Sequence, residues 1–224
     1  MKKLLFSCVV FLCSALFVRA QDGDVPVVDF GFKGGLNASY IGETMPTDYE
    51  ADGVKIGLTL GAFSRIKLAD KDAFYIQPEL LWSQTGSRFS NTVVENANTK
   101  VRYETSTNLT NLDIPVLIGA RVGIKQLGIR LHFGPVFSQI LEAKNKVKTI
   151  TTIDNITNTT EERSDILGNV NKTQFGGQVG IAVDFFRMNF DLRYQHSFTK
   201  LYKTNPLDDA RVSNIHLTVG FKVF

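Results

Sequence analysis

Apolar and polar residues alternate with a period of two through most of this chain, and the alternating runs are long. The clearest reads Met188-Asn189-Phe190-Asp191-Leu192-Arg193-Tyr194-Gln195, with an apolar residue at every even position. Residues 127–134 and 215–223 repeat the pattern, and weaker runs at 30–41, 54–68, 73–86, 108–122 and 173–185 bring the set to eight. Successive side chains of a strand point to opposite faces, so each run predicts a strand with one greasy and one polar face. The five weaker runs hold 12 to 15 residues. Soluble strands average about 5–6 residues, and a tilted strand that crosses a bilayer needs about 9–11. The expectation is an all-β chain of eight antiparallel strands, wound up and down into a transmembrane barrel.

The connections alternate in length. Residues 42–53, 87–107, 141–172 and 199–211 are long, whereas 69–72, 123–126 and 186–187 are short. Barrels of the bacterial outer membrane have short periplasmic turns and long outer loops. An even strand number then places both mature termini in the periplasm and the four long loops outside. Lys146 to Ile153, Asp154-Asn155 and Ile156 to Thr160 read as a hairpin that continues above the membrane, and Val101 to Glu104 suggests the same for the loop at 87–107. The competing reading of both segments is irregular loop.

Residues 1–20 read as a secretory signal: Lys2 and Lys3, an uncharged apolar run from Leu4 to Val18, then Val18-Arg19-Ala20 before Gln21. A retained anchor helix is the competing reading, although the run is shorter than the ~20 residues of a spanning helix. The domain reading is therefore a leader at 1–20 and one barrel domain at 21–224. Both cysteines, Cys8 and Cys13, lie in the leader, so the rest has neither disulfides nor thiolate chemistry. The leader also carries three of the 25 basic residues and no acid, which leaves 22 against 22 acidic ones. A neutral body offers no electrostatic footprint for nucleic acid.

Residue size decides which face is the lumen. One face carries Phe30, Phe32, Leu58, Leu60, Phe74, Leu80, Trp82, Ile118, Leu131, Phe133, Phe190, Leu192, Leu217 and Phe221. The other carries Gly31, Gly35, Gly119, Gly128, Gly180 and Gly220 with single charges between them. Glycine on a solvent face would weaken a strand for no packing return, while inside a tight barrel it makes room for large neighbours. The glycine-and-charge face is therefore predicted to point inward and the bulky face to meet lipid.

By parity the lumen receives Lys33, Lys55, Arg65, Asp184, His132, His216, Lys222 and the six charges expected to form a network: Glu79, Asp113, Arg121, Arg130, Asp191 and Arg193. Ion pairs that plug the barrel are the first reading, since buried charges normally pair. A narrow polar path or ligand pocket is the second. No catalytic spacing is present: His196 and Ser197 are neighbours on a strand and face opposite sides. His132, His196 and His216 have no metal-ligand spacing, and no cofactor is expected.

Several segments resemble the PorT-like outer-membrane β-barrel family common in Bacteroidetes. They are Phe30 to Asn37, Ile76-Gln77-Pro78-Glu79-Leu80-Leu81-Trp82, Leu112-Asp113-Ile114-Pro115-Val116-Leu117, Phe133-Gly134-Pro135-Val136-Phe137 and Arg193-Tyr194-Gln195-His196-Ser197-Phe198. The resemblance covers nearly all of 21–224. It implies the barrel fold, and it implies a link to protein secretion across the outer membrane, the role associated with the members that give the family its name. One departure is the end of the chain: apolar residues precede Phe224 at 219, 221 and 223, one step off the terminal aromatic pattern of such barrels. The functional expectation is a non-enzymatic structural, adhesion or accessory component of the outer membrane, with lipid and envelope proteins met through the four loops as partners. The alternatives are a narrow small-solute channel, a lipid-modifying enzyme and a soluble periplasmic binder.

Overall fold

A computed structural model describes residues 28–42, 53–68, 73–96, 99–124, 127–153, 156–203 and 210–223. The expected leader at 1–20, the final Phe224, and most of the connections at 42–53 and 69–72 lie outside the described residues. Nine strands follow in chain order: β1 Val28–Gly42, β2 Lys55–Lys67, β3 Phe74–Asn96, β4 Thr99–Ile124, β5 Leu127–Ile153, β6 Ile156–Asp165, β7 Thr173–Phe185, β8 Met188–Ser197 and β9 Arg211–Lys222. Every pairing is antiparallel. Strands β1, β2, β3, β4, β5, β7, β8 and β9 join in that order, and β9 returns to β1 to close a ring of eight.

The ninth strand is the predicted hairpin. β6 pairs with the far half of β5, from Lys144↔Asp165 to Ile153↔Ile156. β3 and β4 also run on together, with Val93 opposite Val101. The segments 87–107 and 141–172 are therefore largely strand, and the irregular-loop reading falls. β3, β4, β5 and β6 form a four-stranded flange beyond the ring at its long-loop end. A bulge marks the exit: Thr110 faces Glu142 and Asn111 faces Ile140, so Leu141 has no opposite number. One extra residue flips the parity of β5, which is why Ile140 and Ala143, three apart, are both buried.

The glycine-and-charge face points in. Lys33, Arg65, Glu79, Asp113, Arg130, His132, Asp184, Asp191, Arg193 and His216 are all buried, while Phe32, Leu60, Phe74, Leu131, Phe133, Leu192, Leu217 and Phe221 are exposed on the outer surface. Inward glycines seat bulky neighbours. A Cβ on Gly119 would lie 2.4 Å from the Tyr75 ring, and one on Gly180 would lie 2.6 Å from His132 Nε2 and 2.7 Å from Arg193 Cγ. Pairing is interrupted at Pro78 between β2 and β3, at Pro115 between β3 and β4, and at Pro135 between β4 and β5. A proline cannot donate to a ladder, so these prolines mark the interruptions.

The outward side chains of β5 from Leu127 to Phe137 are all apolar or proline. That stretch rises about 33 Å along the strand, or roughly 23 Å at a tilt near 45°, which fits the ~25 Å apolar band of a membrane barrel. Leu131→Arg, near its middle, is expected to lower unfolding stability in bilayers by about 2–4 kcal/mol. Thr159→Arg on the exposed flange is expected to change it by less than about 0.5 kcal/mol. Urea titration of the bilayer-inserted protein, read by the fluorescence of the single tryptophan Trp82, checks both.

Candidate functional site

The lumen is built in three levels. The first centres on β1, β3 and β8. Lys33 Nζ lies 3.0 Å from Glu79 Oε1 and 3.2 Å from Asp191 Oδ2. The Arg193 guanidinium grips Glu79 with both terminal nitrogens, Nη1 at 2.7 Å from Oε2 and Nη2 at 2.8 Å from Oε1, and its Nε donates to Asp191 at 2.9 Å. His132 Nε2 stands 3.3 Å from Asp191 Oδ1. Two carboxylates thus meet two fixed cations, and a fork-to-fork arginine–carboxylate pair supplies the best geometry such a buried cluster has.

The second level lies toward the short-turn end. Asp184 accepts from Arg130 Nε at 3.0 Å and has Arg65 Nη1 and Arg121 Nε each at 3.5 Å. Asp29 takes Lys67 at 3.4 Å and Arg65 and Lys222 at 3.8 Å. Gln77 joins the two levels: its Oε1 accepts from Arg65 Nε at 2.9 Å and from Arg130 Nη1 at 3.3 Å, while its Nε2 donates to Glu79. Apolar rings also stand among the cations. The Arg65 guanidinium lies 5.2 Å from the Tyr75 ring centroid and 5.7 Å from that of Phe63, and Arg130 lies 5.6 Å from Tyr75. These contacts spread the charge that Asp184 and Asp29 leave unmatched.

Of the six charges singled out from the sequence, Glu79, Asp191 and Arg193 meet in the first level, and Arg121 and Arg130 meet at Asp184 in the second. Asp113 joins neither. Its Oδ2 accepts from Ser83 Oγ at 2.5 Å, with Ser138 as a second hydroxyl partner. Parity placed Asp113 in the lumen but could not say at which height. The register sets it opposite Leu81 of β3 and Ser138 of β5, above the cations. Lys33, Asp184, Gln77, Phe63 and Tyr75 are among the members that the six-residue network left out. Lys33 and Asp184 were legible by parity, but Phe63 and Tyr75 break the expectation of a glycine-and-charge inner face.

The third level was not foreseen. At the long-loop end, inward Ile41, Leu109, Ile140, Ala143 and Val212 pack with Val170 and Leu201, which come from the connections after β6 and β8. Val170 and Leu201 are fully buried. Main-chain bonds pin these connections: Asn171 N to Leu201 O at 2.7 Å, Ile140 N to Lys172 O at 2.7 Å and Leu201 N to Ala210 O at 2.8 Å. Among the described residues these side chains form an apolar cluster at the long-loop end of the ring.

A family model described as an outer membrane protein beta-barrel domain matches residues 20–203. The chain belongs to that family. An outer-membrane barrel needs its ions sealed inside and its band of Phe, Leu and Ile turned to lipid, as found here. Among solved structures, the chain is similar to Ail, the attachment invasion locus protein of Yersinia pestis, at 12% identity over 87% of this chain and 97% of that one, with a TM-score of 0.38. It is also similar to Neisserial surface protein A, at 9% identity over 86% and 96%, TM-score 0.39. LpxR from Salmonella typhimurium matches at 10% identity over 84% and 99%, TM-score 0.27. No curated protein sequence matches the chain.

One further pair faces outward near the long-loop end of the barrel. His196 Nδ1 lies 2.9 Å from Ser213 Oγ across β8 and β9. Ser197 turns the other way and donates to Thr199 O at 3.2 Å. The sequence reading weighed only the adjacent Ser197; the cross-strand partner needed the register. No group of three His, Cys, Asp or Glu residues fit to hold a metal occurs among the described residues.

Removing one partner of the first level leaves buried charge uncompensated. Glu79→Gln is expected to cost about 3–5 kcal/mol. Asp113→Asn keeps its hydroxyl partners and is expected to cost less than about 1.5 kcal/mol. Denaturant midpoints of the two variants in the same bilayer check the contrast.

Proposed function

We propose that this outer-membrane barrel is sealed, and that it works through its outer surface as a structural or accessory component rather than as a path for solutes. The observation that carries this reading is the filling of the lumen by paired ions and, toward its mouth, by an apolar cluster. Arg193, Glu79, Lys33 and Asp191 cross-link facing walls, and the cluster around Val170 and Leu201 lies at the long-loop end. Eight strands enclose a space that side chains can fill. The six charges Glu79, Asp113, Arg121, Arg130, Asp191 and Arg193 are read as structural, with no cofactor among them.

The leader at 1–20 is removed on export in this reading, and 21–224 forms the barrel with both termini in the periplasm. The flange and the connections at 42–53 and 199–211 then stand outside the cell, where they are available to other envelope proteins. The PorT-like resemblance makes protein secretion the first process in which to seek those partners, and a pull-down from detergent-solubilised outer membrane is the way to find them.

The His196–Ser213 pair supports one second reading. A hydroxyl beside an imidazole at the lipid-facing rim holds a nucleophile and a base, the minimum for acyl transfer from a lipid ester. Neither ring nitrogen of His196 has a carboxylate at hydrogen-bond distance among the described residues. The non-enzymatic reading is therefore preferred. It predicts identical outer-membrane lipid masses in cells carrying Ser213→Ala and in cells carrying the native chain. A shift by one acyl group would favour the enzyme.

The sealed lumen predicts no steady current when the purified protein is inserted in a planar bilayer under an applied voltage of about 100 mV, the scale of a membrane potential. Stepwise, long-lived openings would make the channel reading correct.

A further inference from the structure

The flange carries the two faces of the barrel wall beyond the ring, and its outer face is unlike the apolar band beneath it. Along β5 the outward side chains run Leu127, Ile129, Leu131, Phe133, Pro135, Phe137 and Gln139, with Leu141 and Glu142 both exposed at the bulge. The next outward positions are Lys144, Lys146 and Lys148. The register sets Ser106 and Glu104 of β4 opposite Lys146 and Lys148, and Arg163 and Glu161 of β6 on their other side. Arg88 of β3, opposite Ser106, and Arg102 of β4 complete the row. Six cations therefore share one sheet face with Glu104, Glu142, Glu161 and Asp165.

The acids neutralise part of this row and leave a surplus. Lys146 and Arg163 both engage Glu161, at 2.8 and 2.7 Å, and their hydrogen bonds hold its carboxyl below the usual carboxylate range. Lys144 lies 3.0 Å from Glu142, and Arg102 lies 3.1 Å from Glu104. Arg88 and Lys148 have no carboxylate at ion-pair distance among the described residues. These are exposed pairs, cheap to exchange for another anion.

Height decides which anion is met. Lys144 stands three residues along β5 beyond Leu141 and seven beyond Phe137, where the unbroken apolar band ends, or roughly 7 and 16 Å above them at the tilt of a barrel strand. That range lies on the headgroup side of the interface, where basic side chains near the surface are attracted to anionic lipid at about 1 kcal/mol each. We propose that the outer face of the flange, centred on Lys144, Lys146 and Lys148, binds the phosphate groups of outer-leaflet glycolipids. The proposal rests on the reading that the long-loop end faces outward. The flange then acts as a fence along one side of the barrel, with Lys144 nearest the membrane and Lys146 and Lys148 each about 5 Å higher. It binds by point charge, so arginine serves in place of lysine and glutamine does not.

The test uses the full-length protein in lipid discs of phosphatidylcholine doped with bisphosphorylated lipid A or with the same lipid after removal of its phosphates. Retention of glycolipid after extraction of the protein into mild detergent is read by mass spectrometry. The native chain should retain the phosphorylated form, and the triple variant Lys144→Gln, Lys146→Gln, Lys148→Gln should retain at least about fivefold less. The corresponding triple lysine-to-arginine variant should match the native chain, which separates lost charge from a damaged fold. Equal retention of both lipid forms, or full retention by the glutamine variant, overturns the proposal. Orientation is read separately by labelling Thr159→Cys on intact cells with a membrane-impermeant thiol reagent. Labelled cells without phosphate-dependent retention defeat the lipid site alone. Unlabelled cells defeat the outward orientation, and the outer-leaflet assignment falls with it.

Discussion

The antiparallel ladder between β1 and β9, from Gly31↔Lys222 to Gly42↔Arg211, is the contact on which the rest of the structure depends. In hydrocarbon an unpaired strand edge costs several kcal/mol for each orphaned main-chain group, so a sheet must close on itself or stay out of the membrane. Closure at eight strands gives a cylinder too narrow for water to fill freely and just wide enough for side chains. Period-two alternation then leaves no choice of address. Any residue that is not inward is in lipid, and charge in lipid is the more expensive of the two. The lumen collects Lys33, Arg65, Glu79, Arg130, Asp184, Asp191 and Arg193 because the wall has nowhere else to put them.

Once gathered, those ions must satisfy one another. The grip of Arg193 on Glu79 ties β8 to β3 across the ring, and Lys33 ties β1 to both. Opposite walls are thus cross-linked, and the inward glycines beside them are the spaces into which the long side chains fold. Above Asp113 the interior turns neutral: Asn37 bonds Thr59 and Asn111 bonds Thr85. Higher still it turns apolar, where Val170 and Leu201 enter from the connections. The gradient from ions through amides to hydrocarbon follows distance from the short-turn end, and it leaves the flange as the surface best placed to meet other molecules.

Much of this was legible in the sequence. Alternation placed Asp191 and Arg193 on one face and Phe190 and Leu192 on the other, and the β-branched run from Lys146 to Ile153 announced a strand beyond the membrane. The height of each inward residue was not legible, because parity carries no register; Asp113 was grouped with arginines that it does not touch. The inward rings of Phe63 and Tyr75 went unread, since a ring packed on a guanidinium is visible only when both strands are in position. The apolar cluster was hidden for a related reason. Val170 and Leu201 stand in connections with other apolar residues such as Ile166, Leu167 and Tyr202, and nothing periodic marks them. The segments that carry the family resemblance contain Pro78, Pro115 and Pro135, which lie at or beside the interruptions of adjoining ladders next to Glu79 and Asp113. The motif thus coincides with a built irregularity of the wall, and it says nothing by itself about a ligand.

The central claim is one of facing, and β8 tests it most directly. The chain has no cysteine beyond residue 20, so nitroxide labels can be placed one at a time from Asn189 to Tyr194 in the bilayer-inserted protein. Collision rates with molecular oxygen, which concentrates in lipid, should peak at Phe190, Leu192 and Tyr194 and fall at Asn189, Asp191 and Arg193. Maxima at the odd positions, or a profile without a two-residue period, would show that the ions are not inside.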